Sequence, residues 1–126
     1  MNISRFGLSF KDAARGIAHT FKHEQNFRFQ SLAAVLVLTA AFLLPLKTWE
    51  QILIILLVVM VLTMELLNTA LENFTDLLKP RLHHYVSIIK DVMAAAVLLT
   101  SLGALIIGLI IFLPYLYNLL ISFKTL

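Results

Sequence analysis

The sequence predicts an all-α integral membrane protein, with an amphipathic surface helix at the N-terminus followed by three transmembrane helices. Hydrophobic residues make up 60% of the chain and charged residues only 13%, whereas soluble domains average about 45–50% and about 25%. Long apolar segments alternate with short polar ones that have a proline within or just before them, as expected for a chain that crosses a bilayer several times. The 126 residues leave no room for a second globular domain, so we expect one domain, residues 1–126.

The composition excludes several kinds of site. The chain has no cysteine, so it has no disulfide framework, no thiolate metal site and no cysteine nucleophile. The first thirty residues spread five Lys and Arg among apolar residues, without a compact apolar run and a cleavage site. This segment is therefore not a secretory signal, and we expect it to be retained.

Residues 6–22 are predicted to form the surface helix. The apolar residues that recur at helical steps are Phe6, Phe10, Ala14, Ile17 and Phe21. At about 100° per residue they fall on one narrow stripe, and the opposite side carries cations and other polar groups. A core-facing helix of a soluble domain has the same pattern, but the rest of the chain offers little soluble material. We therefore favour a helix that lies in the lipid headgroup layer.

The spans are predicted at residues 27–46, 51–78 and 86–113, followed by an interfacial tail at 114–126. The first span ends near Pro45, because proline is poorly tolerated within a helix. Trp49, in the next turn, is placed to anchor the chain at the membrane interface. Pro80 predicts a helix end near Lys79, and Pro114 marks the end of the third span.

The distribution of basic residues predicts the orientation. The first 30 residues contain five Lys and Arg, and Lys79 and Arg81 lie in the second loop, with Lys90 just beyond it. The first loop has only Lys47. Because Lys and Arg favour the cytoplasmic side, we expect the N-terminus and the second loop inside, and the first loop and the C-terminus outside.

A stripe of polar side chains interrupts the second span. Glu65, Asn68, Glu72 and Asp76 are separated by three, four and four residues, so they share an arc of about 80° on a helix. Charges facing lipid are costly, so this acidic stripe must face other helices or a water-filled cavity. Carboxylates near the interface suit Mg²⁺, which binds one or two of them together with substrate phosphates. Glu65 lies deepest, where a lipid headgroup could reach, and is a candidate general base.

The residues alone leave three interpretations of the acidic stripe open. The first is catalysis, and the second is an ion or proton path. The third is a purely structural membrane oligomer, in which the acids pair with basic residues to specify helix packing. A conducting path requires polar groups across the whole bilayer, and residues 52–62 contain none.

Two further clusters lie at the same end of the spans. Lys90 and Asp91 precede a run of alanines, and small residues let transmembrane helices approach closely. Lys90 could contact a phosphate and Asp91 could position a metal, although a snorkelling lysine in a local ion pair gives the same pattern. In the segment HEQNFRFQ, Glu24 could supply another oxygen ligand, or it could pair with Arg28 four residues on.

Together, SFKDAARGIAHTFKHEQNFR, MELLNTALENFTD and KDVMAAAVLL resemble the prokaryotic diacylglycerol kinase family, which includes undecaprenol kinases. They occur in the family's order and spacing over residues 9–110, and the pattern E-x-x-N-[ST]-A-x-E-x-x-x-D is highly specific within a transmembrane helix. The resemblance implies a helical-bundle homotrimer in the bacterial plasma membrane, with composite active sites at subunit interfaces near the cytoplasmic face. It implies transfer of the γ-phosphoryl group of ATP to a lipid hydroxyl with Mg²⁺, and no nucleic-acid partner.

The resemblance also implies roles for individual residues. Glu65 matches the general base, and Glu24 and Glu72 match the metal ligands. The positions that match the nucleotide site or its surroundings are Asn68, Asp76, Lys90 and Asp91, and those expected to contact substrate or phosphate are Asn26 and Arg28. The glycine-rich phosphate loop G-x-x-x-x-G-K-[ST] is absent, which fits a family that positions its nucleotide without one.

The resemblance favours undecaprenol as the lipid, with diacylglycerol, which would give phosphatidic acid, as the alternative. The longer N-terminal segment, with RGI before HEQNFR, resembles the undecaprenol kinase branch typical of Gram-positive bacteria. Enterobacterial diacylglycerol kinases have a shorter distance to the first glutamate. Departures from the family pattern leave the base and metal positions intact and bear on lipid choice and nucleotide affinity; they lie at Gln30, where many relatives have histidine, and at His84, Ser87, Ile89 and Ala95.

Overall fold

The computed structural model describes residues 3–126, which form four helices. Helix α1 spans Ile3–His23, α2 spans Gln25–Leu43, α3 spans Thr48–Asp76 and α4 spans His83–Lys124. Helices α2, α3 and α4 are each long and apolar enough to cross a membrane. The predicted all-α membrane class with three spans is therefore confirmed at the level of helix number, length and composition.

Helices α1 and α2 are separated by a single residue, Glu24. Its extended backbone, with φ −108° and ψ 113°, interrupts the helical path. Nη1 of Arg28 donates hydrogen bonds of 2.9 Å to the carbonyls of Phe21 and Lys22. These carbonyls belong to the last turn of α1, where they lack helical partners and where a cation is favourable. Arg28 thus fixes the end of α1 against the start of α2, and Glu24 is held at the junction.

Two of the three prolines end helices as predicted, and the third does not. Helix α2 ends at Leu43, just before Pro45, and α3 ends at Asp76, before Pro80. The expectation of a helix end at Pro114 was wrong, because α4 continues through this proline to Lys124. The interfacial position of residues 114–126 stays a prediction.

Contacts on both sides of Pro114 explain why the helix continues. Pro114 removes one backbone hydrogen bond, a loss that transmembrane helices tolerate when the neighbouring structure holds them. Ile111, before the proline, is buried in the apolar core. Tyr115, after it, donates its hydroxyl to Glu50 of α3. The two contacts fix the same face of α4 against α3.

The apolar core lies at the end of the bundle away from the acidic stripe. Its buried members come from α2, the α2–α3 turn, α3 and α4, and they are Ala41, Leu46, Ile54 and Ile111. Polar groups close this end as well. Oε2 of Glu50 accepts hydrogen bonds from the Lys47 backbone N–H, at 2.9 Å, and from Tyr115. Nε2 of Gln51 donates to the carbonyl of Ala41 at 3.1 Å.

Replacing Glu50 with alanine is expected to lower the melting temperature in micelles by several degrees. The Tyr115 hydroxyl and the Lys47 N–H would lose the buried carboxylate that accepts from both, and the cap of α3 would be lost. Circular dichroism melts of the parent and the variant measure the effect. Because Glu50 is 15 residues from Glu65, or about 22 Å along the helix, the activity of the folded variant should be unchanged. A loss of activity well below the melting temperature would contradict this separation.

Candidate active site

The acidic stripe of α3 runs from a buried residue, Glu65, to an exposed one, Asp76. Glu65 is only 4% exposed, although the helix around it is apolar. Its Oε1 accepts a hydrogen bond of 2.8 Å from Nε2 of Gln30 on α2. The deepest acid of the stripe is therefore enclosed by protein, as predicted for a charge that cannot face lipid.

Two other carboxylates approach Glu65. Glu24, at the α1–α2 junction, and Glu72, two turns further along α3, lie close enough for their charges to act on its carboxyl group. Nδ2 of Asn68 donates to Oε1 of Glu72 at 3.3 Å. In residues 3–126 no lysine, arginine or histidine forms an ion pair with any of these three glutamates. The fold thus brings together three carboxylates that have no ion-pair partner in the described part of the chain.

The donor set of this cluster suits a hard cation bound with a phosphate. The described part of the chain contains no group of three or more His, Cys, Asp or Glu arranged to hold a metal ion by themselves. Two carboxylates that are not in ion pairs are suitable ligands for Mg²⁺, which commonly takes its remaining ligands from water and substrate phosphates. Glu24 and Glu72 fit that chemistry, because both offer oxygen and neither is in an ion pair.

Asp76, the last acid of the stripe, has a different environment. Nζ of Lys90 lies 2.8 Å from its Oδ1, and Nζ of Lys79 lies 3.6 Å from the same atom. The pair joins the end of α3 to the first turns of α4. For Asp76 the packing interpretation of the stripe is therefore supported, and Lys90 pairs across helices rather than with its neighbour Asp91.

The remaining predicted residues lie at the surface of the isolated chain. Asn26 and Asp91 are exposed, and within residues 3–126 neither forms a side-chain hydrogen bond or ion pair with the acidic stripe. The ion pair considered between Glu24 and Arg28 is not formed, because the guanidinium of Arg28 binds the carbonyls at the end of α1. The roles of these residues toward substrate stay predictions.

Sequence reasoning missed two residues around Glu65. Gln30 was noted only as a departure from a family pattern, and its contact with Glu65 joins residues 35 positions apart. Thr69, 5% exposed, lies one turn beyond Glu65 on the same face of α3. The sequence shows Thr69 as the residue after Asn68 in the motif. It does not show that Thr69 is buried, because burial depends on how α2 packs against α3.

Two apolar spaces are lined by residues close to the buried glutamate. A cavity of about 570 Å³ lies between α1, α2 and α3, and Phe21, Phe27 and Leu66 are among its lining residues. A groove of about 620 Å³ runs between α2, α3 and α4, from Gln30 to Phe112 and Leu116. Gln30, which donates to Glu65, lines the groove, so the polar end of an apolar molecule in the groove would lie near the carboxylate.

Comparisons with known proteins place these features in a family. The family model described as prokaryotic diacylglycerol kinase matches residues 11–112. The undecaprenol kinase of Bacillus subtilis is 42% identical over 112 residues, which cover 89% of this chain and 91% of the relative. The diacylglycerol kinase of Synechocystis is 38% identical over 115 residues, or 90% of this chain and 66% of the relative. The diacylglycerol kinase of Haemophilus influenzae is 33% identical over 89 residues, which cover 71% of this chain and 75% of the relative.

Proposed function

We propose that this chain, which belongs to the prokaryotic diacylglycerol kinase family, transfers the γ-phosphoryl group of ATP to the hydroxyl of undecaprenol. Lipid kinase activity follows from the family and from the relatives. Undecaprenol is favoured because the relative described as an undecaprenol kinase is 42% identical over 89% of the chain. The observation that carries the proposed site is the burial of Glu65 near two glutamates that form no ion pair in residues 3–126. Apolar spaces are lined by its neighbour Leu66 and by its hydrogen-bond partner Gln30.

In this proposal Glu65 is the general base. The carboxylate accepts the proton of the lipid hydroxyl while the hydroxyl oxygen forms a bond to the γ-phosphorus. The bond between the γ-phosphorus and the bridging oxygen breaks, and ADP leaves with that oxygen. Phosphoryl transfer depends mainly on positioning and charge neutralisation, so a small set of fixed side chains is sufficient. The apolar groove lined by Gln30, the hydrogen-bond partner of Glu65, supports this role, because the acceptor hydroxyl belongs to a lipid.

Glu24 and Glu72 are proposed to hold Mg²⁺. The bound cation would neutralise charge on the phosphates of ATP. Asn68, through its hydrogen bond to Glu72, orients that carboxylate. The ammonium of Lys90, held by Asp76 at 2.8 Å, is proposed to contact a nucleotide phosphate.

The other proposed contacts complete the site. Asp76 acts on the nucleotide through Lys90, and Asp91 lies beside Lys90 on α4. Asn26 and Arg28, which follow Glu24, are proposed to contact substrate or phosphate. For Arg28 this contact requires the guanidinium to serve both the end of α1 and the ligand, since it already binds two carbonyls.

The protein is proposed to act as a homotrimer, with α1 on the cytoplasmic surface and α2, α3 and α4 across the membrane. The excess of Lys and Arg in the N-terminal segment and the second loop supports a cytoplasmic site. Large apolar side chains, including Phe42, Leu99 and Ile110, are 65%, 72% and 68% exposed on the isolated chain. These surfaces are suited to lipid and to neighbouring subunits. The whole of residues 1–126 forms one domain in this arrangement.

Parallel assays of the two lipids test the proposed acceptor. The purified protein in mixed micelles, with labelled ATP and Mg²⁺, would receive undecaprenol or diacylglycerol at equal mole fraction. We expect a kcat/KM for undecaprenol on the order of tenfold higher, because selection rests on how the apolar part of the lipid fits. A higher value for diacylglycerol would assign the chain to phosphatidic acid formation. Transfer to neither lipid would contradict the proposal.

A further inference from the structure

We infer that Gln30 is a positioning residue for the transfer reaction, one that holds the Glu65 carboxylate in the orientation from which it accepts a proton. The inference rests on the proposed role of Glu65 as the base. It adds a residue that the acidic stripe does not contain and that comes from a different helix.

The geometry singles out Gln30 as the support of the base. Its Nε2 lies 2.8 Å from Oε1 of Glu65. In residues 3–126 this is the one side-chain hydrogen bond to that carboxylate. Glu24 and Glu72 repel it by their like charge. Because a glutamate side chain has several rotamers, the hydrogen bond from Gln30 favours the one in which Oε1 faces α2.

The orientation of the Gln30 amide is set by Glu65 and by no other contact. The Oε1 of Gln30 is buried and has no hydrogen-bond partner. Turning the amide over would place that oxygen against a carboxylate oxygen, so two acceptors would face each other. The amide of Gln30 therefore donates from Nε2 to Glu65, while its own Oε1 has no hydrogen-bond donor.

The unsatisfied atoms lie around the proposed base. The other buried side-chain atom without a partner in the described residues is Oγ1 of Thr69, one helical turn beyond Glu65 on the same face. Native structures rarely leave buried polar atoms unpaired, and a packing position could use an apolar side chain instead. Polar atoms kept at this position thus indicate a function connected with Glu65 rather than with helix packing.

Turnover measurements on Gln30→Met test the inference, with Gln51→Met as the matched control. Methionine keeps the length of glutamine and removes its donor and acceptor. Gln51 also bridges helices through Nε2, at 3.1 Å from the Ala41 carbonyl, but at the far end of the bundle. With whichever of the two lipids the parent phosphorylates better, Gln30→Met should lower kcat by about 10²-fold and leave the KM for ATP unchanged. Gln51→Met should retain the parental kcat.

A double-mutant cycle separates positioning from a structural role. In a Glu65→Asp protein the shortened carboxylate is already out of reach of Gln30, so adding Gln30→Met should change the residual kcat by less than about twofold. Three results would overturn the inference. Gln30→Met could lower kcat by the same factor in the parent and in the Glu65→Asp protein, or it could leave the parental kcat unchanged. The control Gln51→Met could also lower kcat as much as Gln30→Met does.

A spectroscopic measurement keeps this test distinct from the test of the proposed function. In protein labelled with ¹⁵N-glutamine, the side-chain amide resonance of Gln30 is identified by its absence in Gln30→Met. It should move in Glu65→Gln, where a neutral acceptor replaces a charged one, while the Gln51 resonance stays. A parent protein inactive on both lipids would overturn the proposed function, and an unmoved Gln30 resonance would overturn the contact itself.

Discussion

Replacing Glu65 with glutamine is expected to lower lipid phosphorylation by about 10²–10⁴-fold, the contribution of a positioned general base. Glutamine has nearly the same shape and still offers an oxygen to Nε2 of Gln30, so the bundle should remain folded. The amide cannot accept the proton of the lipid hydroxyl. The measurement is initial-rate transfer from labelled ATP in mixed micelles, with a melt of each protein recorded beside it.

The same helix provides the control for this result. Glu50 is the other buried glutamate of α3, and its contacts are confined to Lys47 and Tyr115 at the far end of the bundle. Glu50→Gln should therefore retain the parental rate. If Glu65→Gln phosphorylates lipid at the parental rate, another group must be the base. If its melt collapses with its activity, the role of Glu65 is structural.

The same pair of variants addresses the two other interpretations of the acidic stripe. An ion path through α3 would need polar groups between Glu65 and Glu50, and residues 52–62 of that segment are all apolar. A purely structural oligomer predicts that neutralising Glu24, Glu72 and Asp91 together changes only assembly and leaves binding of ATP and Mg²⁺ intact. Loss of turnover in Glu65→Gln with retained fold and assembly would be incompatible with a purely structural role.

The sequence was sufficient for the helices and for the face of α3, because both depend on local patterns. The lengths of the apolar segments predicted the three spans, and Pro45 and Pro80 predicted the ends of two helices. Helical spacing predicted that the stripe turns inward, and Glu65 is 4% exposed. Pro114 was misjudged because the contact of Tyr115 with Glu50, 65 residues away, holds the helix together beyond it.

The supporting contacts of the site depend on tertiary packing and were therefore not predictable from spacing. Gln30 meets Glu65 only because α2 lies against α3 at that level. Arg28 had a plausible local partner in Glu24, but the break between α1 and α2 presents two unpaired carbonyls, and these bind the guanidinium instead. Lys90 likewise pairs with Asp76 across helices.

Neutralising either proposed metal ligand, by Glu24→Gln or Glu72→Gln, is expected to raise the Mg²⁺ concentration for half-maximal activity by about 10–100-fold and to lower kcat. Each variant removes one of the two carboxylates proposed to bind the cation. Initial rates across a range of free Mg²⁺, at saturating ATP, measure the shift. Asp12→Asn is the control, because Asp12 is an exposed acid on α1 whose carboxylate lies 3.6 Å from Arg15.

The melting temperatures decide whether such losses come from binding or from folding. Glu24 and Glu72 repel Glu65 in the absence of a cation, so removing either charge should leave the melting temperature of metal-free protein unchanged or raise it. Lower activity together with equal or higher stability would place both glutamates in the reaction. An unchanged Mg²⁺ requirement in both variants, or the same shift in Asp12→Asn, would remove them from the proposed metal site. Since Asn68 orients Glu72 through its 3.3 Å hydrogen bond, Asn68→Ala should shift the requirement in the same direction by a smaller factor.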